Sequence, residues 1–114
     1  MAGAAADNVY VSSMWSADRK DEKVQKFVES YTKAYGRAPD QFAASAYDGV
    51  YMAMDAMQRA GTTTDHKKIR DALAQMKDFK GVCGTFSFDQ KRDPVVDLIL
   101  MKMQDGKFGV VDVK

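Results

Sequence analysis

The residue types that carry most enzyme chemistry are scarce in this chain. His66 is the only histidine and Cys83 the only cysteine, so one chain cannot form a Cys/His zinc site. His66 lies beside Asp65 and Lys67 in the first turn of a predicted helix, where exposure to solvent is the simplest expectation. Cys83 precedes Gly84 in a predicted strand, and we interpret it as an inert small residue. The sequence therefore predicts no catalytic residues, no metal site and no cofactor.

Composition and motifs narrow the function further. The chain has 114 residues, of which 29% are charged and 46% hydrophobic, with a net charge of +1, which is typical of one globular domain. No phosphate-binding loop, dinucleotide fingerprint or hydrolase nucleophile elbow occurs. The basic residues are dispersed and matched by acids, and no apolar run is long enough to span a bilayer. We expect a protein that is not an enzyme, binds no nucleic acid and does not insert into a membrane.

Aromatic side chains are the remaining candidates for ligand binding, because aromatic residues often line pockets. Trp15 follows the first predicted strand, and Phe42 begins a long apolar helix. Tyr47 and Tyr51 lie one turn apart along that helix, where core packing is the better explanation. For Trp15 and Phe42, ligand contact and core packing both stay open.

The elements that would position these residues follow from periodicity and turn signals. The predicted elements are a strand at 8–13, helices at 21–36, 40–60 and 65–78, and strands at 82–89, 95–103 and 108–113. Gly36 is expected to end the first helix, and Thr64 or Asp65 to cap the third. Asp105-Gly106 predicts a tight hairpin. The run at 95–103 is apolar enough for a strand buried on both faces, as in a parallel or mixed sheet.

The second predicted helix needs more cover than the rest of the chain offers. Its polar residues fall on one narrow stripe and apolar residues fill the remaining circumference, which is typical of a helix buried on several sides. Gly49 costs about 1 kcal/mol relative to alanine, which suggests close backbone approach by another element. Two other helices and a few short strands supply little cover for such a helix.

Two blocks of sequence resemble a known family. The segments FVESYTKAYGRAPDQFAASAYDG and GVCGTFSFDQKRDP, followed by an apolar strand and a DG hairpin, are similar to the C-terminal part of branched-chain amino-acid binding proteins. These are type I periplasmic solute receptors of ABC transporters, with two α/β lobes and the ligand in the cleft between them. The resemblance implies a partial type I α/β fold of three helices, short strands and a C-terminal hairpin, incomplete as a single chain.

The resemblance also assigns parts of the chain, taken as one fragment over 1–114. Residues 8–13 and 95–114 resemble strands of the second lobe, and residues 20–93 resemble the last part of the first lobe. Phe42 resembles an aromatic residue that touches the ligand side chain, and Trp15 lies near the cleft hinge by analogy. Arg92 stands in a turn where the family often has glycine.

The implied function is part of a receptor that delivers branched-chain or related amino acids to an ABC permease. The family is periplasmic, but no signal peptide is visible here, so the location of this chain stays open. Because most ligand-gripping groups lie upstream in the family, we expect the chain alone to bind amino acids poorly or not at all. Uncovered apolar surface predicts a homodimer or larger oligomer, with a monomer of rearranged core as the alternative.

The competing function is a small helical protein-interaction module unrelated to transport. The two hypotheses differ in connectivity. Pairing of residues 8–13 with the final apolar strand in one sheet favours the receptor, whereas a helical bundle without that pairing favours the module.

Overall fold

A computed structural model describes residues 3–111. The elements are a 3-10 helix at Gly3–Ala6, β1 at Tyr10–Ser13, α1 at Glu22–Tyr35, α2 at Gln41–Ala60, α3 at His66–Ala74, β2 at Phe79–Lys80, β3 at Thr85–Phe88, β4 at Pro94–Val95, β5 at Ile99–Gln104 and β6 at Lys107–Val110. The predicted order of helices and main strands is confirmed. The two-residue strand β2 was not predicted, and α3 ends four residues earlier than predicted. The predicted strand at 95–103 is interrupted: Val95 belongs to β4, and the longer strand β5 begins only at Ile99. The predicted final strand extended to residue 113, and its last two residues lie outside the described ones.

The chain divides into two compact units. Residues up to Gln41 together with those from Leu98 onward form the first unit, and Phe42–Asp97 forms the second. The first unit contains α1 and the sheet β1-β5-β6, and the second contains most of α2, all of α3 and the sheet β2-β3-β4. The assignment of chain segments to two lobes stays a prediction.

The sheet of the first unit joins the two ends of the described chain. β1 pairs antiparallel with β5, from Tyr10 opposite Lys102 to Ser13 opposite Ile99. The predicted pairing of residues 8–13 with the final apolar strand is therefore confirmed. The prediction of a parallel or mixed sheet is wrong for the described strands, because all their pairings are antiparallel.

Strand β5 is less buried than its composition suggested. Within β5 only Met101 is buried, at 9% exposure. The prediction that this strand is buried on both faces is wrong for the described residues. The sheet has only three short strands, and its outer strands β1 and β6 are themselves mostly exposed, so they give β5 little cover. The predicted hairpin is confirmed: Gln104 pairs with Lys107, and Asp105 and Gly106 have φ of 51° and 74°, as a type I′ turn requires.

Helix α1 presents its apolar stripe to the core of the first unit. Val24 and Phe27 are buried, whereas Tyr35 at the end of the stripe is 67% exposed. Gly36 has φ 69° and its N–H donates to the carbonyl of Thr32 at 2.8 Å. This left-handed residue ends the helix as the sequence predicted.

Helix α2 buries a different side from the one its composition suggested. Its buried residues are Ala44, Asp48, Met52 and Ala56. A Cβ built on Gly49 would meet nothing within 4 Å, so the predicted close approach of another element at Gly49 is wrong for the described residues. The buried side of the helix is centred on Asp48, and Gly49 lies outside it. Much of the apolar circumference of α2 stays uncovered.

Candidate functional site

Phe42 lies in the first turn of α2. Its side chain is 81% exposed, and the preceding Pro39 is buried. An exposed phenyl ring at the start of a helix has free apolar surface for contact with an aliphatic ligand side chain. The structure therefore leaves Phe42 available for the predicted role, which stays a prediction.

Trp15 occupies the core of the first unit. It is 5% exposed, and its ring meets that of Phe27 edge-on, with centroids 5.6 Å apart and planes at 78°. The backbone N–H of Trp15 donates to Ser13 Oγ at 3.1 Å, and Ser13 Oγ lies 2.9 Å from the Trp15 carbonyl oxygen. Core packing explains the position of this tryptophan, and its predicted place near a ligand stays a prediction.

The side chain of Asp48 anchors a loop in the second unit. The residue is 2% exposed, and its two carboxylate oxygens accept the backbone N–H groups of Val82 and Cys83 at 2.7 and 2.8 Å. Hydrogen bonds to a charged acceptor are stronger than neutral ones. Gly81 passes so close to this carboxylate that a Cβ there would overlap it. Asp48 positions the segment that leads into β3, and both of its oxygens are engaged.

Sequence reasoning placed Asp48 on the polar stripe of α2 without giving it a role. The available signal was a single acid in the middle of an otherwise apolar turn, together with a glycine before a short apolar loop. Cys83 is 1% exposed, with its Sγ 3.9 Å from Ser45 Oγ, as expected for an inert small residue. His66 is exposed at the start of α3.

Tyr47 and Tyr51 form an aromatic pair on α2. Their ring centroids are 4.7 Å apart. The side-chain hydrogen bond with Tyr51, followed by desolvation and nearby negative charge, raises the pKa of Tyr47 to about 12. Tyr51 itself is 46% exposed, so the pair lies at the edge of the uncovered surface rather than deep in the core.

Two apolar surfaces of the described chain stand open. The first, here called the α2 stripe, consists of Val50, Tyr51 and Met54, which are 59%, 46% and 57% exposed. These residues share one helical face because Met54 lies three positions after Tyr51 and four positions after Val50. The stripe has no charged side chain.

The second open surface, here called the sheet face, lies on the three-stranded sheet of the first unit. It consists of Val9, Val11, Phe108 and Val110, which are between 40% and 48% exposed. Alternation along the strands puts them on one face, because Val11 and Val110 both pair with Met101, and Phe108 pairs with Met103.

Three surface grooves of the described chain lie away from the predicted site residues. Grooves of about 480, 580 and 430 Å³ lie at α3 and β3, at the β5–β6 hairpin, and beside the end of α2. None of these three is lined by Trp15 or Phe42. Among residues 3–111, no group of three metal-binding side chains occurs, and no helix there is long and apolar enough to cross a membrane.

A comparison with protein families decides the identity of the fold. The sequence pattern of a periplasmic binding protein family matches residues 1–107. This chain belongs to the periplasmic binding protein family. Family members are periplasmic solute-binding receptors, which are not a class of enzyme, and the predicted resemblance is confirmed.

Relatives of this periplasmic binding protein chain are several times longer than it is. It is 33% identical over 92 residues to the Leu/Ile/Val-binding protein homolog 2 of Brucella abortus. This match covers 77% of this chain and 23% of that protein. An ABC transporter substrate-binding protein from Desulfitobacterium hafniense superposes with a TM-score of 0.86 at 31% identity, over 96% of this chain and 33% of that one.

A third relative was solved with a ligand. The branched-chain amino acid transporter substrate-binding protein LivJ from Streptococcus pneumoniae, in complex with isoleucine, superposes with a TM-score of 0.79 at 34% identity. The match covers 93% of this chain and 31% of LivJ. The periplasmic binding protein chain described here thus spans between about a quarter and a third of these relatives. The predicted partial type I fold is confirmed.

Proposed function

We propose that this chain supplies part of a solute receptor for branched-chain or related amino acids that serves an ABC permease. The observation that carries the proposal is the antiparallel pairing of β1 with β5, from Tyr10 opposite Lys102 to Ser13 opposite Ile99. A helical bundle would lack this pairing. The pairing therefore favours the receptor over the protein-interaction module.

The ligand class comes from the relatives. One is named for leucine, isoleucine and valine, and another was solved with isoleucine. Phe42 is proposed to contact the aliphatic side chain of the ligand, since its exposed ring offers apolar surface. Trp15 is proposed to support the region near the hinge from its place in the core of the first unit. As in the family, the periplasm is the proposed location.

The chain alone is proposed to bind amino acids poorly or not at all. A free amino acid carries a carboxylate and an ammonium group, each of which needs charged or polar partners in a dry site. Both carboxylate oxygens of Asp48, a buried acid of the second unit, already accept hydrogen bonds from backbone N–H groups. The ligand is therefore held only when the rest of a receptor completes the site.

The isolated chain is also proposed to self-associate. The α2 stripe and the sheet face are uncovered apolar surfaces, and strands β1 and β6 are the two edges of their sheet. Exposed edges and apolar patches favour association between copies. Light scattering after size exclusion, over a dilution series, is expected to show a dimer or larger species that dissociates on dilution. A monomer at every concentration would contradict this part.

The receptor function is tested by a chimaera. The segment of LivJ that matches this chain is replaced by the full chain of 114 residues, and isoleucine binding is measured by calorimetry. We expect saturable binding, and Phe42→Ala should weaken it by about tenfold or more. Phe108→Ala, which removes another exposed phenyl ring, serves as the control and should leave the affinity unchanged.

Two results would contradict the proposal. A chimaera that folds, by circular dichroism and thermal unfolding, and yet binds none of leucine, isoleucine and valine would contradict the proposed function. Saturable micromolar binding of isoleucine by the isolated chain would exclude the claim that the chain needs the rest of a receptor.

A further inference from the structure

We propose that a groove beside α3 is a further ligand site, which binds a small molecule with one carboxylate and an apolar body, and that Arg92 holds the carboxylate. This groove, here called the α3 groove, has a volume of about 480 Å³ and is lined by Arg70, Asp71, Leu73, Ala74, Phe88 and Arg92. All of these residues belong to the second unit. Phe42, the proposed contact of the amino-acid ligand, does not line the groove, so the site is independent of the proposed function.

The apolar part of the α3 groove comes from α3 and β3. Leu73 and Ala74 are the last two residues of α3, and Phe88 is the last residue of β3. Leu73 and Phe88 are half-buried and Ala74 is exposed. A groove of about 480 Å³ falls within the roughly 300–1,000 Å³ of small-molecule sites, which are lined mainly by apolar side chains with a few polar groups. These three side chains therefore offer apolar surface to a short aliphatic chain.

The charges that line the α3 groove favour one negative charge on the ligand. Arg70 donates through Nε and Nη2 to Asp71 Oδ1, so these two charges offset each other. The side chain of Arg92 makes no ion pair within residues 3–111. Two arginines and one aspartate give the lining a net charge of +1. Because a guanidinium binds a carboxylate through two parallel N–H donors, Arg92 is the group that holds the ligand.

A hydrogen-bonded turn holds Arg92 at the groove. Arg92 has φ 73°, and its backbone N–H donates to the carbonyl of Asp89 at 3.1 Å. The carboxylate of Asp89 accepts the N–H groups of Lys91 and Asp93 at 2.8 and 2.9 Å, and neither acid lines the groove. A left-handed backbone disfavours every residue with a side chain, and such strain concentrates at catalytic and ligand-binding sites. The strained conformation of Arg92 is therefore what a residue placed for binding would show.

Other small molecules fit the α3 groove less well. An organic cation would be repelled by Arg92, and a molecule with two negative charges would exceed the net charge of +1 on the lining. Acetate has no apolar body for Leu73 and Phe88 to cover. An uncharged aliphatic alcohol gains no charged hydrogen bonds from the guanidinium. The combination of one carboxylate with a short aliphatic chain is the chemistry that uses both parts of the groove.

The experiment uses the full chain, isotope-labelled for NMR, and octanoate as the probe. Octanoate is titrated at concentrations below those at which it forms micelles. We expect the backbone amide signals of Leu73, Ala74, Phe88 and Arg92 to shift in a saturable way that fits one dissociation constant. Acetate, octanol and octylammonium each lack either the apolar chain or the negative charge, and each should bind about tenfold more weakly or worse.

Substitutions of Arg92 separate binding from folding. Arg92→Gln removes the charge and should weaken octanoate binding by about tenfold or more. Arg92→Lys keeps the charge but loses the paired N–H donors, so it should give a smaller loss. Arg92→Gly should weaken binding at least as much as Arg92→Gln while raising the thermal stability, because glycine relieves the left-handed strain. A loss of binding in a more stable variant cannot come from unfolding.

Lys91→Gln is the matched control, since Lys91 is exposed beside Arg92 and does not line the groove. It removes the same charge and should change the affinity less than twofold. Three results would overturn the proposal: shifts that do not saturate or lie outside the groove, equal binding by Arg92→Gln and the unchanged chain, and octanol or octylammonium bound as tightly as octanoate. Groove signals that shift when the chain alone is concentrated, without any binding of octanoate, would assign the groove to a second copy and exclude the small-molecule site.

Discussion

The carboxylate of Asp48 fills the space that a side chain on Gly81 would need. A Cβ built on Gly81 would overlap the carboxylate carbon and both of its oxygens. Those oxygens are fixed by the N–H groups of Val82 and Cys83. The glycine and the acid, which are 33 positions apart in the sequence, therefore depend on each other.

Gly81→Ala is expected to destabilise the chain by about 1–3 kcal/mol, as overpacking of a buried site does. The added methyl group would push the carboxylate away from its two N–H donors. The measurement is the free energy of unfolding in urea. An alanine variant as stable as the original chain would show that Asp48 moves aside without cost.

Gly49→Ala is the matched substitution with the opposite expected sign. Gly49 lies inside α2, and a Cβ there would meet nothing within 4 Å. Alanine is favoured over glycine in a helix interior by about 1 kcal/mol. The urea midpoint should therefore rise. A fall would mean that another element approaches Gly49 after all, as the sequence first suggested.

Asp48→Asn is expected to destabilise the chain by about 1–3 kcal/mol, although the side chain keeps its shape. Asparagine has one acceptor oxygen, so one of the two loop N–H groups would face an NH₂ donor and stay unpaired in a buried place. Asp55→Asn, in the partly exposed ion pair with Arg59, is the control and should cost less than about 1 kcal/mol. Equal losses for the two variants would refute the anchoring role.

Arg92→Gly is expected to stabilise the chain by up to about 1 kcal/mol. Arg92 has φ 73°, a left-handed conformation that costs a residue with a side chain about 1–2 kcal/mol. Glycine avoids this cost, but part of the gain is lost because glycine has more conformational freedom in the unfolded chain. This agrees with the glycine that the family often has in the turn. Lys91→Gly, at a neighbouring residue without positive φ, should lower the stability, and thermal unfolding compares the two.

The tyrosine pair predicts a loss of stability at high pH. The pKa of Tyr47 is raised from 10.0 to about 12, so the folded chain holds this proton more tightly than the unfolded chain does. The contribution of protonated Tyr47 to the stability of the folded chain is complete below pH 10. It is lost as the pH rises from 10 towards 12. Absorbance titration of tyrosinate should show one late group among the five tyrosines.

Two variants assign that late group. Tyr47→Phe should remove it, and Tyr51→Phe should bring the pKa of Tyr47 down towards 10.0, because the hydrogen bond with Tyr51 is the largest cause of the shift. A titration without a separate group near 12 would contradict the pairing.

The sequence by itself determined the features that depend on neighbouring residues. Gly36 ends α1, and Asp105-Gly106 turns the hairpin. Of the two predicted caps of α3, Thr64 and Asp65, it is Asp65 that accepts the N–H of Lys68 at 3.1 Å. Each of these is a local backbone conformation or a hydrogen bond across three or four residues, so a short window of sequence contains its cause. The family resemblance, and with it the partial α/β fold, also followed from contiguous blocks of sequence.

Only the tertiary structure decided which side of α2 is buried. The pattern put Asp48 on the narrow polar stripe of this helix. The structure buries Asp48 instead, because the N–H groups of Val82 and Cys83 need an acceptor. That need draws Asp48 inward and leaves Val50, Tyr51 and Met54 outside. The acid and the loop are more than 30 residues apart, and such distant contacts are formed by packing in three dimensions and leave no periodic signal in the chain.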